Sequence, residues 1–296
     1  MTTTTIIDWD KFEGRARPKR IFLQGTFMVP VVVLIIVVIM AIFAPWLAPY
    51  PYDQINMPDR LMPPAFVEGG STSHILGTDN IGRDILSRVI YGAQISLSVA
   101  VLVIAITASI GTVLGIAAGY LGGRTDAFLM RVTDISLAFP AILIALLFAA
   151  TIGPGYWTVV IAISLLGWAP YARIIRGEAL KLRDADFVAQ ARIIGTPPAR
   201  IMVRHIFPNI VNPLIIMATL SVGMVILTEA ILSYLGAGIP PPAASWGNMV
   251  NDGRSLIDTS WWISTFPGIA IGVVVLAGNF LGDWLRDKLD PRLRQI

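Results

Sequence analysis

The sequence predicts an all-α polytopic membrane protein with six transmembrane helices. Hydrophobic residues make up 55% of the 296 residues and charged residues only 14%, whereas soluble domains carry roughly 25% charged residues. Uncharged runs of about 20 residues recur along the chain, which is the length that an α-helix needs to cross a bilayer. Because backbone polar groups in lipid must be satisfied within the spanning segment, these runs are predicted to be helices.

The six runs lie at Phe27–Ala48 and at about 95–120, 135–152, 156–172, 210–235 and 262–282. The third and fourth come from one uncharged stretch between Asp134 and Arg173, which the turn signal Gly153-Pro154-Gly155 divides. The first run is longer than the apolar core of a signal peptide and no small-residue cleavage site follows it, so we expect a retained helix.

The basic residues predict the orientation. With the N-terminus inside, 18 of the 22 lysine and arginine residues fall on the inner segments, so both termini and the loop 173–208 are predicted to be cytoplasmic. The chain then divides into a cytoplasmic segment 1–26, a first helix 27–48, an outer loop 49–93, a five-helix domain 94–285 and a cytoplasmic tail 286–296. This topology places the protein in a cytoplasmic membrane.

Several kinds of chemistry are excluded by composition. The chain has no cysteine, so it has no disulfide, thiolate metal site or cysteine nucleophile. The two histidines, His74 and His205, fall on opposite sides of the predicted membrane and cannot share a metal. None of the four lysines follows a glycine, so the chain contains no P-loop. We therefore predict no catalytic residue and no metal site, and the inward placement of the basic residues argues against nucleic-acid binding.

The loop 173–208 is the strongest functional signal, because seven basic residues lie there between apolar segments. It predicts a helix–turn–helix. Asp184 and Asp186 are suited to cap the first helix, and an apolar stripe is expected at Phe187, Ala191 and Ile194. Gly195 is expected to end the first helix, and Thr196-Pro197 to supply the N-cap and the N1 proline of the second. Such a loop could serve inward sorting and lipid phosphates alone, but the stripe favours a docking surface for a soluble partner.

The loop resembles the EAA loop of ABC importer membrane subunits. Ala189-Gln190-Ala191 takes the place of Glu-Ala-Ala, Gly195 matches the glycine, and His205-Ile206-Phe207-Pro208 matches the end of the pattern. Stretches beginning at His74, Gly119, Met130 and Ser233 are similar to other blocks of the C-type permeases of dipeptide, oligopeptide and nickel importers. The resemblance covers about residues 25–290.

The resemblance implies a permease of a bacterial or archaeal inner membrane, working with a homologous B-type permease and one or two cytosolic ABC ATPases. A periplasmic or lipid-anchored binding protein delivers the substrate. ATP and Mg²⁺ are bound by the ATPases, and this chain holds no cofactor. The substrates expected are dipeptides or oligopeptides, with nickel chelates, glycosides or opines as alternatives. The residues expected to couple to the ATPase are Phe187, Ala189, Ala191, Arg192, Gly195, Arg200, Arg204 and Pro208.

Two alternatives come from other classes. A stand-alone ion-coupled transporter would need buried charges near the midplane of several spans, and none of the six shows one. An intramembrane hydrolase is disfavoured by the lack of cysteine and of a paired His or Asp constellation.

Polar residues near the spans are further candidates. Asp134 is expected to pair with Arg131 or to belong to a gate. Glu229, about 30 Å along the helix from Asn209, is either hydrated near the outer surface or part of the path. On the outer side, Asp79, Arg83 and Asp84 are expected to order the loop, or Arg83 clamps a substrate carboxylate.

Glycines and prolines predict how the helices pack. Glycines recur every four residues at 111, 115 and 119, and the pairs 268/272 and 278/282 repeat this spacing, which permits close helix approach within the bundle or against a second subunit. Pro140, early in the third span, and Pro170, at the end of the fourth, are expected to kink these helices.

Overall fold

The computed structural model describes residues 28–289, and the regular elements in this range are helices. Their bounds are α1 Met28–Ile42, α2 Ala44–Leu47, α3 Ile85–Leu121, α4 Gly123–Ala138, α5 Ala141–Ile152, α6 Tyr156–Arg183, α7 Asp186–Ile193, α8 Pro198–Ile201, α9 Phe207–Tyr234, α10 Trp246–Gly253 and α11 Trp262–Leu289. Short 3₁₀ turns lie at Met57–Asp59 and Arg254–Leu256, and a π turn at Met202–Ile206 joins α8 to α9.

Four helices are long and apolar enough to cross a membrane: α3, α6, the continuous α8–α9 helix (Pro198–Tyr234) and α11. The pair α4 and α5 passes the same test together and makes a fifth candidate span, bent by 78°. Helix α1 is apolar but has only 15 residues. The described chain is therefore an all-helical, multi-pass membrane protein with four or five candidate spans. The predicted segment 1–26 and most of the tail 286–296 lie outside the described residues.

The third predicted span is not one helix. Phe139 has an extended conformation, with φ −86° and ψ 133°, between the end of α4 and the start of α5. Pro140 explains this break, because proline disfavours a helical conformation in the residue before it. Helix α4 also begins at Gly123, well before the predicted start at 135, because its polar residues hid it from a search for uncharged runs.

The fourth span continues past its predicted end. Pro170 lies inside α6, which extends to Arg183. A proline inside a helix removes one backbone hydrogen bond, and here the helix continues through it. The last turn of α6 carries Lys181 and Arg183, whose positive charges suit the C-terminus of a helix dipole.

The glycine repeat of α3 packs within this chain. A Cβ atom at Gly115 would lie 2.7 Å from the carbonyl oxygen of Ala172, and one at Gly119 would lie 2.7 Å from the Cβ of Ala179. Both neighbours belong to α6, so the absence of side chains lets these two helices approach closely. The glycines of α11 divide: a Cβ at Gly282 would overlap Leu220 of α9, whereas Gly268 and Gly272 have open space beside them.

Candidate functional site: an inner loop and an outer ion cluster

The inner loop turns at a Schellman cap. Gly195 follows α7 with φ +77°, in the left-handed region that favours glycine. The Thr196 N–H donates to the carbonyl of Ala191, and the Gly195 N–H donates to that of Arg192, both at 3.0 Å. The predicted glycine stop is therefore present as a specific hydrogen-bonded turn.

Helix α7 is fixed to the bundle by a buried apolar face. Val188 is fully buried and Ala191 nearly so. They form one cluster with residues of α3, α6 and the α8–α9 helix: Ile116, Tyr120, Ile175, Ala179, Ile201, Ile206 and Ile210. Helix α7 and its turn are thus packed against three long helices. We refer to this segment, residues 186–196, as the bracket.

The predicted apolar stripe of α7 is divided between a buried and an exposed face. Ala191 is buried, but Phe187 is 39% exposed and Ile194 is 80% exposed, as is the neighbouring Ile193 at 83%. A single amphipathic period could not show which of two apolar faces meets the bundle. The face that remains exposed carries large apolar side chains at the end of the bundle.

The predicted helix starts also differ. Ala185 precedes α7 and no side chain caps it, so neither Asp184 nor Asp186 acts as expected. The second helix starts at Pro198 rather than Pro197, with no cap from Thr196. It runs on into α9 through the π turn, where the Phe207 N–H donates to Met202.

Pro208 lies in the first turn of α9. It has no N–H to donate to the carbonyl one turn before it. The helix nevertheless continues through this proline. The second loop helix is therefore the beginning of a candidate membrane span and not a separate element.

The three candidate arginines of the loop have different environments. Arg192 lies over the ring of Tyr120 at 5.1 Å from its centroid, and its Nη2 donates to the carbonyl of Arg183 at 3.1 Å. It therefore links α7 to α3 and α6. Arg200 and Arg204 are exposed, and neither has an ion-pair partner among residues 28–289. Ala189 is also exposed.

Two ion pairs tie α4 to α6. The guanidinium of Arg176 donates to both carboxylate oxygens of Asp126, at 2.5 and 2.6 Å. Asp134 accepts from Arg173 at 2.5 Å, and this second pair is largely exposed. The predicted pairing of Asp134 with Arg131 is wrong, because Arg173 from α6 reaches the carboxylate instead.

Asp79 lies at the centre of an ion cluster ahead of α3. Its carboxylate is fully buried and accepts from Arg83 Nε at 2.6 Å and from Arg88 Nη1 at 2.5 Å. Asp252 of α10 lies 3.2 Å from Arg83 Nη2. Sequence reasoning missed Arg88 and Asp252. The charge of Arg88 at the start of an apolar helix was a usable signal. Asp252 lies 164 residues further along the chain, so no pattern in the sequence indicated that the two residues meet.

Asp84 belongs to a separate network at the start of α3. Its Oδ2 accepts from the backbone N–H of Ser87 at 2.8 Å, which caps the helix, and its Oδ1 lies 2.9 Å from His74 Nδ1. The three candidate residues of the outer loop therefore divide between two networks. The side chain of Arg83 is buried between two carboxylates, and its Nε and Nη2 atoms already have partners in this structure.

Glu229 is fully buried. It accepts hydrogen bonds from Ser233 at 2.7 Å and from Ser96 of α3 at 3.2 Å, and Ser245 at the start of α10 donates to Ser233 at 3.3 Å. Among the described residues no arginine, lysine or histidine lies within ion-pair distance. The carboxyl group thus joins α9, α3 and the segment leading into α10.

Long apolar helices with a bracketed basic loop at one end define a multi-pass membrane permease. The chain belongs to the family of binding-protein-dependent transport system inner membrane components, whose sequence profile matches residues 111–295. Residues 19–64 match the N-terminal TM domain of oligopeptide transport permease C. Membership of this family confirms the resemblance found in the sequence.

Relatives match over most of the chain. A putative peptide transport system permease protein of Brucella suis is 44% identical over 93% of this chain and 91% of its own length. The dipeptide transport system permease DppC of Escherichia coli K12 is 44% identical over 90% of this chain and 89% of its own. The oligopeptide permease OppC of Bacillus subtilis is 38% identical over 90% and 86%.

The fold is also similar to a solved structure. An inward-facing conformation of the MetNI methionine ABC transporter aligns with a TM-score of 0.54 at 13% identity, over 68% of this chain and 97% of that chain. This likeness concerns the fold alone.

Proposed function

We propose that this chain is the C-type permease of an ABC importer for dipeptides or oligopeptides and forms half of the translocation path. The support is the agreement among relatives that are named for peptide, dipeptide and oligopeptide transport. The other half of the path is a homologous B-type permease. A periplasmic or lipid-anchored binding protein delivers the substrate.

The proposed topology has six membrane crossings and both termini in the cytoplasm. Helix α1 supplies the first crossing together with the apolar residues around it, and the bent pair α4–α5 supplies the third. The asymmetry of lysine and arginine supports this orientation. It places the α7 bracket and its exposed apolar side chains in the cytosol.

The observation that carries the coupling mechanism is the two-faced packing of α7. One face, with Val188, is buried on the bundle, while Ile193 and Ile194 stay exposed at the other. Large exposed apolar groups on a polar surface are typical of a protein interface. We infer that one or two cytosolic ATPases bind this face and hold the ATP and Mg²⁺. Their closure moves α7, and α7 moves the helices to which it is packed.

On the outer side, we infer that the Asp79 cluster orders the loop and α10 beneath the binding protein rather than contacting substrate. Asp134 and Glu229 are assigned a similar holding role at α4–α6 and at α9–α3. Each has internal hydrogen-bond partners that fix helices to one another.

Gly195→Val tests the coupling role, because a β-branched residue is strained at positive φ. Gly236 is a matched control: it has φ +80° after α9, and the N–H groups of Gly236 and Ala237 make the same two Schellman hydrogen bonds. Both positions have open space for a side chain. We expect each valine variant to cost about 1–2 kcal/mol of stability.

Only Gly195→Val is expected to uncouple ATP hydrolysis from peptide uptake in vesicles containing the complete transporter. Equal coupling ratios for the two variants would contradict the assignment of α7. Labelling of a cysteine introduced at Ile193 from outside the cell would contradict the orientation, and the chain has no native cysteine to interfere.

A further inference from the structure

An apolar groove of about 640 Å³ lies between α3 and the continuous α8–α9 helix. On α3 it runs from Ile104 past Ala108 to Ala117, and on the other wall it runs from Ala199 past Phe207 to Ala218. The proposed function gives it no role.

The length of the groove matches one leaflet of a bilayer. The α3 wall from 104 to 117 rises about 20 Å at 1.5 Å per residue. Half of a bilayer, including its headgroups, is also about 20–22 Å thick. In the proposed orientation the groove begins at the cytosolic segment of α8 and ends near the middle of the membrane.

The volume of the groove favours a hydrocarbon chain over a helix. A helix 10–12 Å in diameter fills about 1,600–2,300 Å³ over this length, which is more than the groove holds. An acyl chain is much thinner. Its methylene groups would find nearly uniform apolar contact along both walls.

Positive charge lies beside the cytosolic mouth. Arg200 and Arg204 are one turn apart on the same helix as the lining residues Ala199 and Val203. Both arginines are exposed and have no carboxylate partner in the described part of the chain. A guanidinium pair with free donors suits a phosphate group.

We propose that the groove binds an anionic phospholipid of the cytoplasmic leaflet, with an acyl chain between α3 and α9 and its phosphate at Arg200 and Arg204. The inference rests on the orientation in the proposed function. It assigns these two arginines to lipid and leaves the ATPase to the exposed tip of α7. The bound lipid would pack against the continuous α8–α9 helix, which follows the bracket in the chain, and so would stabilise the position of this helix.

The test uses the complete transporter, purified in mild detergent with an equal mixture of phosphatidylglycerol and phosphatidylcholine, with retained lipid counted by native mass spectrometry. The unsubstituted complex should retain one phosphatidylglycerol in preference to phosphatidylcholine. Ala108→Trp fills the groove and should lower retention by about tenfold, because each buried methylene contributes to affinity. Ala150→Trp, at an exposed alanine of α5, is the matched control and should retain the lipid.

Ala218→Phe fills the opposite wall and provides a second variant if Ala108→Trp fails to assemble. The double change Arg200→Gln and Arg204→Gln should abolish the preference for phosphatidylglycerol. Loss of ATPase capture in this double variant, with lipid retention unchanged, would assign the arginines to the ATPase and overturn the proposal.

Equal retention in the groove-filling variants and the control would also overturn it, since the lipid would then be a general boundary lipid. So would a cysteine at Val203 that cross-links to the second permease, because a helix would then occupy the groove. Lipid retention does not depend on the transported substrate, so failure here is distinguishable from failure of the peptide assignment.

Discussion

The two ends of this bundle use the same turn for different purposes. A Schellman cap with a glycine at positive φ ends α7 at the inner end and α9 at the outer end. Around the outer turn, the buried carboxylates of Asp79 and Glu229 accept hydrogen bonds from side chains of the chain itself. Around the inner turn, isoleucine side chains remain exposed and two arginines have no ion-pair partner among the described residues.

This difference indicates where the chain depends on other molecules. The outer end is held by charge pairs and hydrogen bonds that would be costly to break singly. At the inner end, a buried apolar face and Arg192 hold α7 on the bundle, and large apolar side chains on its other face stay exposed. The substitutions below test that contrast, from the largest expected effect to the smallest.

Asp79→Ala should have the largest effect on stability. It leaves the guanidinium groups of Arg83 and Arg88 buried without their shared carboxylate, which costs about 3–5 kcal/mol for a broken buried pair. Thermal unfolding of the purified complex measures the loss. Asp258→Ala, at an exposed aspartate of the outer region, should change little. A melting temperature for Asp79→Ala equal to that of this control would show that the cluster does not hold the outer end.

Ile201→Ala and Ile193→Ala should separate the two faces of the inner bracket. Ile201 is fully buried beneath α7, so its truncation should cost about 2–4 kcal/mol. Ile193 is exposed, and its truncation should leave stability nearly unchanged while weakening capture of the ATPase subunits in a pulldown. The reverse pattern, with stability lost at 193 and kept at 201, would contradict the assignment of a buried and an exposed face to the bracket.

Glu229→Ala should have an intermediate effect. It removes the acceptor for the hydroxyl groups of Ser96 and Ser233, and leaving buried polar groups without a partner costs about 1–3 kcal/mol. Glu229→Gln keeps an acceptor oxygen and nearly the same shape, so it should lose less. Chemical denaturation of the two variants gives the comparison. A glutamine variant as unstable as the alanine variant would show that the site needs a charged carboxylate.

Asp134→Asn should have the smallest effect. The pair with Arg173 is largely exposed, and exposed ion pairs contribute no more than about 1 kcal/mol. The matched substitution Asp126→Asn breaks the more buried, two-bonded contact with Arg176 and should cost more. If the order of the two melting temperatures were reversed, Asp134 would have a role beyond its pairing with α6.

The sequence predicted the helical class well, because long uncharged runs have few structural solutions in lipid. It also located the glycine turn at 195, since the requirement for positive φ is local. The third span was misjudged because α4 is polar along one side, and the break at Pro140 divides it from α5. The partner of Asp134 and the contact between Arg88 and Asp252 depend on how distant helices pack, which a single sequence does not specify.

The unbroken course of α8 into α9 has a mechanical consequence. The helix Pro198–Tyr234 has 37 residues and so extends about 55 Å. Tilting such a rod by about 5° around one end displaces the other by about 5 Å. With the pivot at Pro198, the end that the proposed orientation places in the cytosol, such a tilt would shift Glu229 by about 4 Å.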